Sequence, residues 1–449
     1  MSNCSYSPRY HVNANEAIDE LKKYMLVDGF DFVLDLDKSQ GNRLIDGKNG
    51  KSYLDFFTFF ASAPVGLNHP KMRDENFIKY MGAAAINKPS NSDIYTEGMA
   101  TFVKTFFKTA VPEHFKYSFF IAGGALGVEN ALKTAFDWKV RKNYRKGYKE
   151  EKGHQIMHFK QAFHGRSGYT MSLTNTDPAK IDYFPKFNWP RITNPYLKFP
   201  LTEESIENTI KMEQIALAEM KQAFIDNKDD IAAIIIEPIQ AEGGDNHFRN
   251  EFLAEIRKLA DENEALLIFD EVQTGGGLTG TFWAHEQMEV IPDIMAFGKK
   301  MQVCGILATK KLDEIDDHVF RVSSRINSTW GGNYVDMIRS TKFLEIVEEE
   351  RLVENVRELS APFNDRIRKL SENYPDIISN PRGRGFFSAF DMDSPQRRDF
   401  FRHSCWENGL IVLSCGPQSI RFRPSLNLSM SELEEGFDIM EKVMKDMVM

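Results

Sequence analysis

Apolar positions along this chain gather into short unbroken runs, separated by stretches whose apolar residues recur every three or four places. Four runs stand out: Tyr117–Ile121, Ile231–Ile239, Ala265–Phe269 and Ile294–Phe297. Each is too short for a free-standing helix, and the last three suit strands buried on both faces. Val128, Leu132 and Phe136 fall at helical spacing, with Lys133 and Lys139 polar. Residues 205–226 read as a long, solvent-facing amphipathic helix and Glu251–Glu262 as a shorter one. Strand, helix, strand from Ile231 to Phe269 is a βαβ unit, so a parallel sheet with a right-handed crossover is expected.

The flanks are less regular. A first helix is predicted over Asn15–Met25, then extended pieces at Phe32–Leu36 and Arg43–Asp46. The aromatic-dense segment from Tyr53 to Ser62 reads as a buried strand and turn that can also wall a pocket. Asn87–Ile94 has the turn chemistry of an irregular loop, as does Arg325–Asn333. Helical periodicity then runs from Tyr334 to about Asn373. A Pro-Arg-Gly-Arg-Gly break at 381–385 leads into a lobe of short strands and helices. The last helix is predicted to open at a capping box, Ser431 with Glu434. No repeats or low-complexity segments interrupt the pattern.

Composition narrows the function classes. With 449 residues, the chain is long enough for two or three lobes. Its net charge of −9 argues against a nucleic-acid surface. No run of 18 apolar residues predicts a membrane span, and the polar N-terminus lacks a signal-peptide core. Cys4, Cys304, Cys405 and Cys415 show no CxxC pairing and read as free thiols in a reducing cytoplasm. No metal site is expected. His154 and His158 lie four apart on a strand-like segment, which separates their rings by about 13 Å.

The stretch Ala265–Cys304 carries the candidate chemistry. Its first apolar run ends on Asp270 and Glu271, and the carboxyl ends of strands are where open α/β sheets bind ligands. Twenty-nine positions later, after a second run and a glycine, comes Lys299. An acid and a lysine at two strand ends suit pyridoxal phosphate: the acid keeps the ring nitrogen protonated and the lysine forms the Schiff base. Both residues also allow a plain reading, a turn-closing acid and a surface lysine. The glycine turn at 123–124 feeds a helix N-terminus, whose free N–H groups suit phosphate. It is neither a dinucleotide fingerprint nor a P-loop. Gln161–Tyr169 is a loop offering an aromatic face and an arginine, able to stack on a ring and hold a carboxylate.

Taken together, LLIFDEVQTG at 266–275, PDIMAFGK at 292–299, EPIQAEGG at 237–244, the GGAL…ENALK turn and helix, and IRFRPSL at 420–426 resemble the class III (ornithine-type) aminotransferases of pyridoxal phosphate fold type I. The resemblance runs from about Tyr53 to the C-terminus. It implies an α/β fold with a large domain (66–330) built on a mostly parallel sheet flanked by helices. A smaller α/β domain would come from the chain ends, with 1–65 packing against 331–449. Within the family, GGALGVENALK, FHGRSGYT, TNTDPAK, QTGGGLTGT, FGKKMQVCG and SRINSTWGGN are similar to the subgroup that moves the ε-amino group of L-lysine to 2-oxoglutarate. Three departures from the wider family accompany that likeness: Gly123-Gly124-Ala125 offers no hydroxyl at the phosphate turn, Leu278 stands where an arginine is usual, and Met301–Cys304 replaces a glycine pair.

The resemblance also implies roles. Lys299 is the Schiff-base lysine, with Lys300 the neighbour to be confused with it. Asp270 pairs with the ring nitrogen, Gln273 hydrogen-bonds the ring oxygen, and Phe163 stacks on the ring. Gly124 and Ala125 donate N–H groups to the phosphate, and Thr329 reaches the phosphate of a partner subunit in a homodimer. Arg421 grips the α-carboxylate of 2-oxoglutarate or glutamate, and Glu242 neutralises it when lysine is the donor. Arg166 and Asn327 are candidates for the donor's distal carboxylate, Asn327 equally for a turn role, and Glu237 for a structural role under the cofactor. Donors such as ornithine, γ-aminobutyrate or a diamine, and a non-catalytic binding protein on the same fold, remain alternatives.

Overall fold

The computed structural model describes residues 6–448, so Cys4 lies outside the described residues. Its centre is a seven-stranded sheet in the order Phe115–Ile121, Cys304–Thr309, Ile294–Phe297, Leu266–Asp270, Ile231–Ile236, Gln155–Phe159, Arg191–Ile192. The strands at 231–236 and 266–270 are parallel neighbours joined through the helix Asn250–Glu262, as the βαβ reading expects. Every residue of the three central strands is buried. Successive residues serve opposite layers: Leu266 and Ile268 pack with Val128, Leu132 and Trp138 of the helix Gly124–Arg145, while Leu267 and Phe269 pack with Phe252 and Ile256. That double burial is why these runs carry no alternation.

Two strands of this sheet were not anticipated, the two-residue edge strand Arg191–Ile192 and the longer Cys304–Thr309. Cys304–Thr309 runs antiparallel to both of its neighbours. Only six residues, Gly298–Val303, separate it from the strand before. A parallel return needs a crossover of a dozen or more residues, so the chain can only fold back as a hairpin. Lys299 sits on that hairpin turn.

The two ends of the chain meet away from the large sheet. Ser52–Asp55 pairs with Arg43–Ile45 on one side and, in parallel, with Leu410–Ile411 on the other. A separate antiparallel sheet of Ile378–Arg384, Phe387–Met392, Ser419–Phe422 and Leu413–Cys415 sets Arg421 on an inner strand. The aromatic segment is, as read, a strand and turn, and the first helix is Ala14–Lys22. Helix Glu203–Asp226 is amphipathic but not wholly solvent-facing, since Thr209, Glu213, Ala216, Met220 and Phe224 form a buried stripe. Cys304, Cys405 and Cys415 are free thiols. No helix among the described residues is long and apolar enough to cross a membrane.

The first helix ends at Lys22 rather than Met25, and two later helix boundaries also differ from the sequence reading. The periodic stretch after Tyr334 is two helices, Tyr334–Glu349 and Leu352–Asn373, parted where Arg351 takes a left-handed conformation (φ 53°). A left-handed residue cannot continue the right-handed ladder, and here no glycine or proline announces it. Glu349 and Glu350 at the break instead pair with Lys71. The final helix, Met430–Val448, is capped two residues earlier than predicted. Ser429 N–H donates to Glu432 at 2.9 Å, and Glu432 N–H donates back to Ser429 Oγ at 3.3 Å. Glu434 is drawn off by Arg366. Ser429→Ala is therefore expected to cost about 1 kcal/mol of stability and Ser431→Ala less than about 0.5 kcal/mol, measured as shifts in urea midpoint at unchanged slope. Equal losses would return the cap to Ser431.

Candidate active site

The carboxyl ends of three parallel strands converge with one helix N-terminus on a cavity of about 310 Å³. Strand Leu266–Asp270 delivers Asp270, strand Ile231–Ile236 leads into Glu237, and the loop after Gln155–Phe159 brings Phe163, His164 and Arg166. Gly124 and Ala125, the first residues of a 22-residue helix, form another wall, and the hairpin turn presents Lys299. The helix end must approach closely: a Cβ on Gly124 would come within 2.9 Å of Val272 Cγ1, and one on Gly165 within 2.5 Å of Ala125 Cβ.

Lys299 is held at positive φ (50°), and its Nζ donates to Phe60 O at 3.1 Å. Burial, with the nearby Arg421 and Arg423 guanidinium groups, lowers its pKa to about 8, against smaller opposing effects of Glu242 and Asp270. Lys300 points elsewhere. Its buried ammonium donates to Gln273 O at 2.8 Å, and burial and Lys299 push its pKa well down. Asp270 Oδ1 accepts from Val272 N–H, and Oδ2 lies 2.8 Å from His164 Nδ1. The other nitrogen of His164, Nε2, is buried without a partner among the described residues. Glu237 accepts from Phe163 N–H (2.9 Å) and Ala241 N–H (3.0 Å), and burial raises its carboxyl to about 7. It thus braces the loop that carries Phe163.

Phe60 roofs the site. Thr58 to Ala61 all have positive φ (42–65°), a costly run for residues with side chains. Asp55 Oδ1 holds it by accepting from Phe57 and Thr58 N–H, and Thr58 Oγ1 donates to Arg423 O. The turn sets the Phe60 ring 5.5 Å from Lys299 Nζ and 5.9 Å from the Arg421 guanidinium.

Arg421 is 1% exposed. Its Nη2 donates to Glu242 Oε2 at 2.7 Å and its Nη1 to Gln273 Oε1 at 3.2 Å, while its Nε is unpartnered among the described residues. Two residues on, Arg423 is fully buried, bonded through both terminal nitrogens to Asp245 and through Nε to Gln273 Oε1. Glu242 has a second cation: Lys180 Nζ donates to Oε1 at 2.6 Å. Burial alone would raise the Glu242 carboxyl, but Arg421 and Lys180 outweigh it and hold it below the usual range.

Of the residues singled out in the sequence, Lys299, Asp270, Glu242, Gly124, Ala125, Phe163, Gln273 and Arg166 line one cavity, and Arg421 abuts it through Glu242 and Gln273. Asn327 and Thr329 do not. Both are exposed on the loop before Tyr334, and Asn327 Oδ1 accepts from Ser328 N–H, the bond of a turn. Phe60 belongs to the aromatic segment read as able to wall a pocket, whereas His164, Lys180, Arg423 and Asp245 escaped the sequence reading. His164 and Lys180 lie inside the FHGRSGYT and TNTDPAK stretches already noted, so position was the available signal. No cluster of metal-ligating side chains occurs among the described residues.

These groups fit pyridoxal phosphate. A carboxylate whose histidine neighbour is otherwise unpartnered lies in the same cavity as an amine of lowered pKa. A helix N-terminus, free of bulk at Gly124, offers backbone N–H groups for a phosphate.

A family model described as aminotransferase class-III matches residues 24–444. The chain is 49% identical over 415 residues to the L-lysine-epsilon aminotransferase of Mycobacterium tuberculosis, covering 92% of each chain. It is 46% identical over 429 residues to that of Streptomyces clavuligerus, covering 95% of this chain and 93% of the other. A solved lysine aminotransferase from M. tuberculosis superposes with a TM-score of 0.95 at 46% identity, over 97% of this chain and 99% of that one. A transaminase from a marine Virgibacillus shares the fold at 19% identity (TM-score 0.81). The chain belongs to the class III aminotransferases, a family of pyridoxal phosphate-dependent transaminases.

Proposed function

We propose that this protein is an L-lysine 6-aminotransferase, moving the ε-amino group of L-lysine to 2-oxoglutarate to give L-glutamate and 2-aminoadipate 6-semialdehyde. The observation that carries this reading is the pairing of Arg421 with Glu242, whose carboxylate lines the cavity of Lys299 and Asp270. A terminal amine brings no carboxylate beside its reacting carbon, so a buried arginine needs a resident anion in that half-reaction. 2-Oxoglutarate brings its own. The likeness to relatives named L-lysine-epsilon aminotransferases favours lysine among the terminal amines.

Bound pyridoxal phosphate supplies an aldehyde that condenses with amines and a ring that accepts electron density. Lys299 holds the group covalently and, once released, moves a proton at the donor's ε-carbon, which its lowered pKa permits near neutrality. Asp270, oriented by His164, keeps the ring nitrogen protonated. Phe163 would cover a ring face, Gln273 would bond the ring oxygen, and Gly124 and Ala125 would hold the phosphate through backbone N–H groups. Arg166 at the cavity wall takes the donor's distal carboxylate. Asn327 and Thr329 serve the site of a second copy in a homodimer. The protein works in the cytoplasm. Residues 66–330 form the cofactor-binding domain, with 1–65 and 331–449 joined in the smaller one.

With lysine labelled at the ε-nitrogen, the label is expected to reach glutamate. Label retained in the product, or a preference for ornithine or γ-aminobutyrate, would replace this donor. Covalent capture of the cofactor by the apoenzyme should speed up about tenfold per pH unit below about 8 and level off above it. Absorbance changes would follow the capture, and Lys299→Ala should capture none after borohydride. A profile still climbing past pH 10 would show an unperturbed amine. Glu242→Gln should slow the lysine half-reaction by on the order of tenfold while leaving the glutamate half-reaction within about threefold, in single-turnover absorbance traces. Equal slowing would mean that Glu242 does not discriminate between them.

A further inference from the structure

Glu242 divides its carboxylate between two cations, one on each oxygen: Oε2 faces Arg421 and Oε1 faces Lys180. The two are unlike. Arg421 is sealed in, whereas Lys180 is partly open, lines the cavity and lies 5.5 Å from the Phe163 ring. Lys180 ends a short turn, Pro178–Lys180, tied by Asp177 accepting from Ala179 N–H, so its stem is anchored outside the Glu242 loop. The backbone of Glu242 is equally fixed. Its carbonyl accepts from Gly416 N–H at 2.9 Å, and Gly243 is packed so closely that a Cβ would lie 2.1 Å from Gln161 O. Only the side chain can turn.

We propose that Lys180 is a positioning residue that retains the Glu242 carboxylate when it leaves Arg421, so that an acidic substrate does not have to expel an unpaired anion. This rests on the reading of Glu242 given above. A dicarboxylate seeking Arg421 must displace Oε2. With Oε1 still bonded to Lys180, side-chain rotation keeps one ion pair throughout. Without Lys180, Glu242 loses its only other cationic partner among the described residues and competes harder for the arginine. Loss of Lys180 therefore weakens acid binding through Glu242, without Lys180 touching the acid.

The test is the dissociation constant of glutarate, an unreactive dicarboxylate, measured calorimetrically on the holoenzyme for wild type, Lys180→Met, Glu242→Gln and the double variant. Lys180→Met should weaken glutarate about tenfold and Lys180→Arg should restore it to within about threefold. Glu242→Gln, which removes the competitor, should tighten glutarate, and the double variant should match Glu242→Gln within about twofold. Rescue by Lys180→Arg, with the double variant matching Glu242→Gln, is a pattern that a folding defect would not produce. If Lys180→Met also weakens glutarate in the Glu242→Gln background, Lys180 binds the acid directly and the proposal falls. If Glu242→Gln leaves glutarate binding unchanged, the reading of Glu242 as a competing anion falls instead.

Discussion

A guanidinium group taken out of water must find an anion, and this site buries two of them two residues apart, Arg421 on the strand Ser419–Phe422 and Arg423 just past its end. Both are met from a single turn, the one joining the short paired strands Ile239–Gln240 and Asn246–His247, by Glu242 and Asp245, and both touch Gln273. These contacts tie the smaller antiparallel sheet to the cavity. The pairs differ in solvent access. Asp245 and Arg423 are both fully enclosed, so that pair is a fixed strut. The Glu242 side chain is 25% exposed and faces the cavity, so the same turn supplies a pair that can open.

Much of this was legible in the chain. Three of the unbroken apolar runs are doubly buried strands because helices cover both faces of the sheet, and the acid ending one run and the lysine following another do share a cavity. Burial on two faces leaves a signature in composition, so those elements could be read directly. Residues named from family likeness, such as Glu242 and Arg421, were legible as positions, while their contact across 179 residues of chain was not a property of either segment.

What was missed has local causes. The hairpin strand Cys304–Thr309 hides behind a turn that looked like a simple extension of the lysine motif, and its direction follows from loop length rather than from side chains. The helix break at Arg351 involves a residue type that gives no warning, since its left-handed backbone comes from context. Ser431 with Glu434 satisfies the capping pattern as well as Ser429 with Glu432; the deciding fact is that Arg366, far off in the chain, claims Glu434. His164 and Lys180 have ordinary surroundings in sequence. Their meaning lies in Asp270 and Glu242, which approach them only once the sheet has formed.

The ion pairs also bear on the amine at 299. Its lowered pKa arises first from burial and then from Arg421 and Arg423, with Glu242 pulling the other way. Were Glu242 to depart with nothing in its place, the lysine would face a stronger positive field and its ammonium would be harder to keep. In the proposed cycle that imbalance does not arise: a substrate carboxylate occupies Arg421 whenever Glu242 turns aside, so the arginine is covered by one negative charge in each half-reaction. The amine then faces a similar field with either substrate. One lysine can move protons in both directions because the anion on Arg421 is exchanged rather than lost.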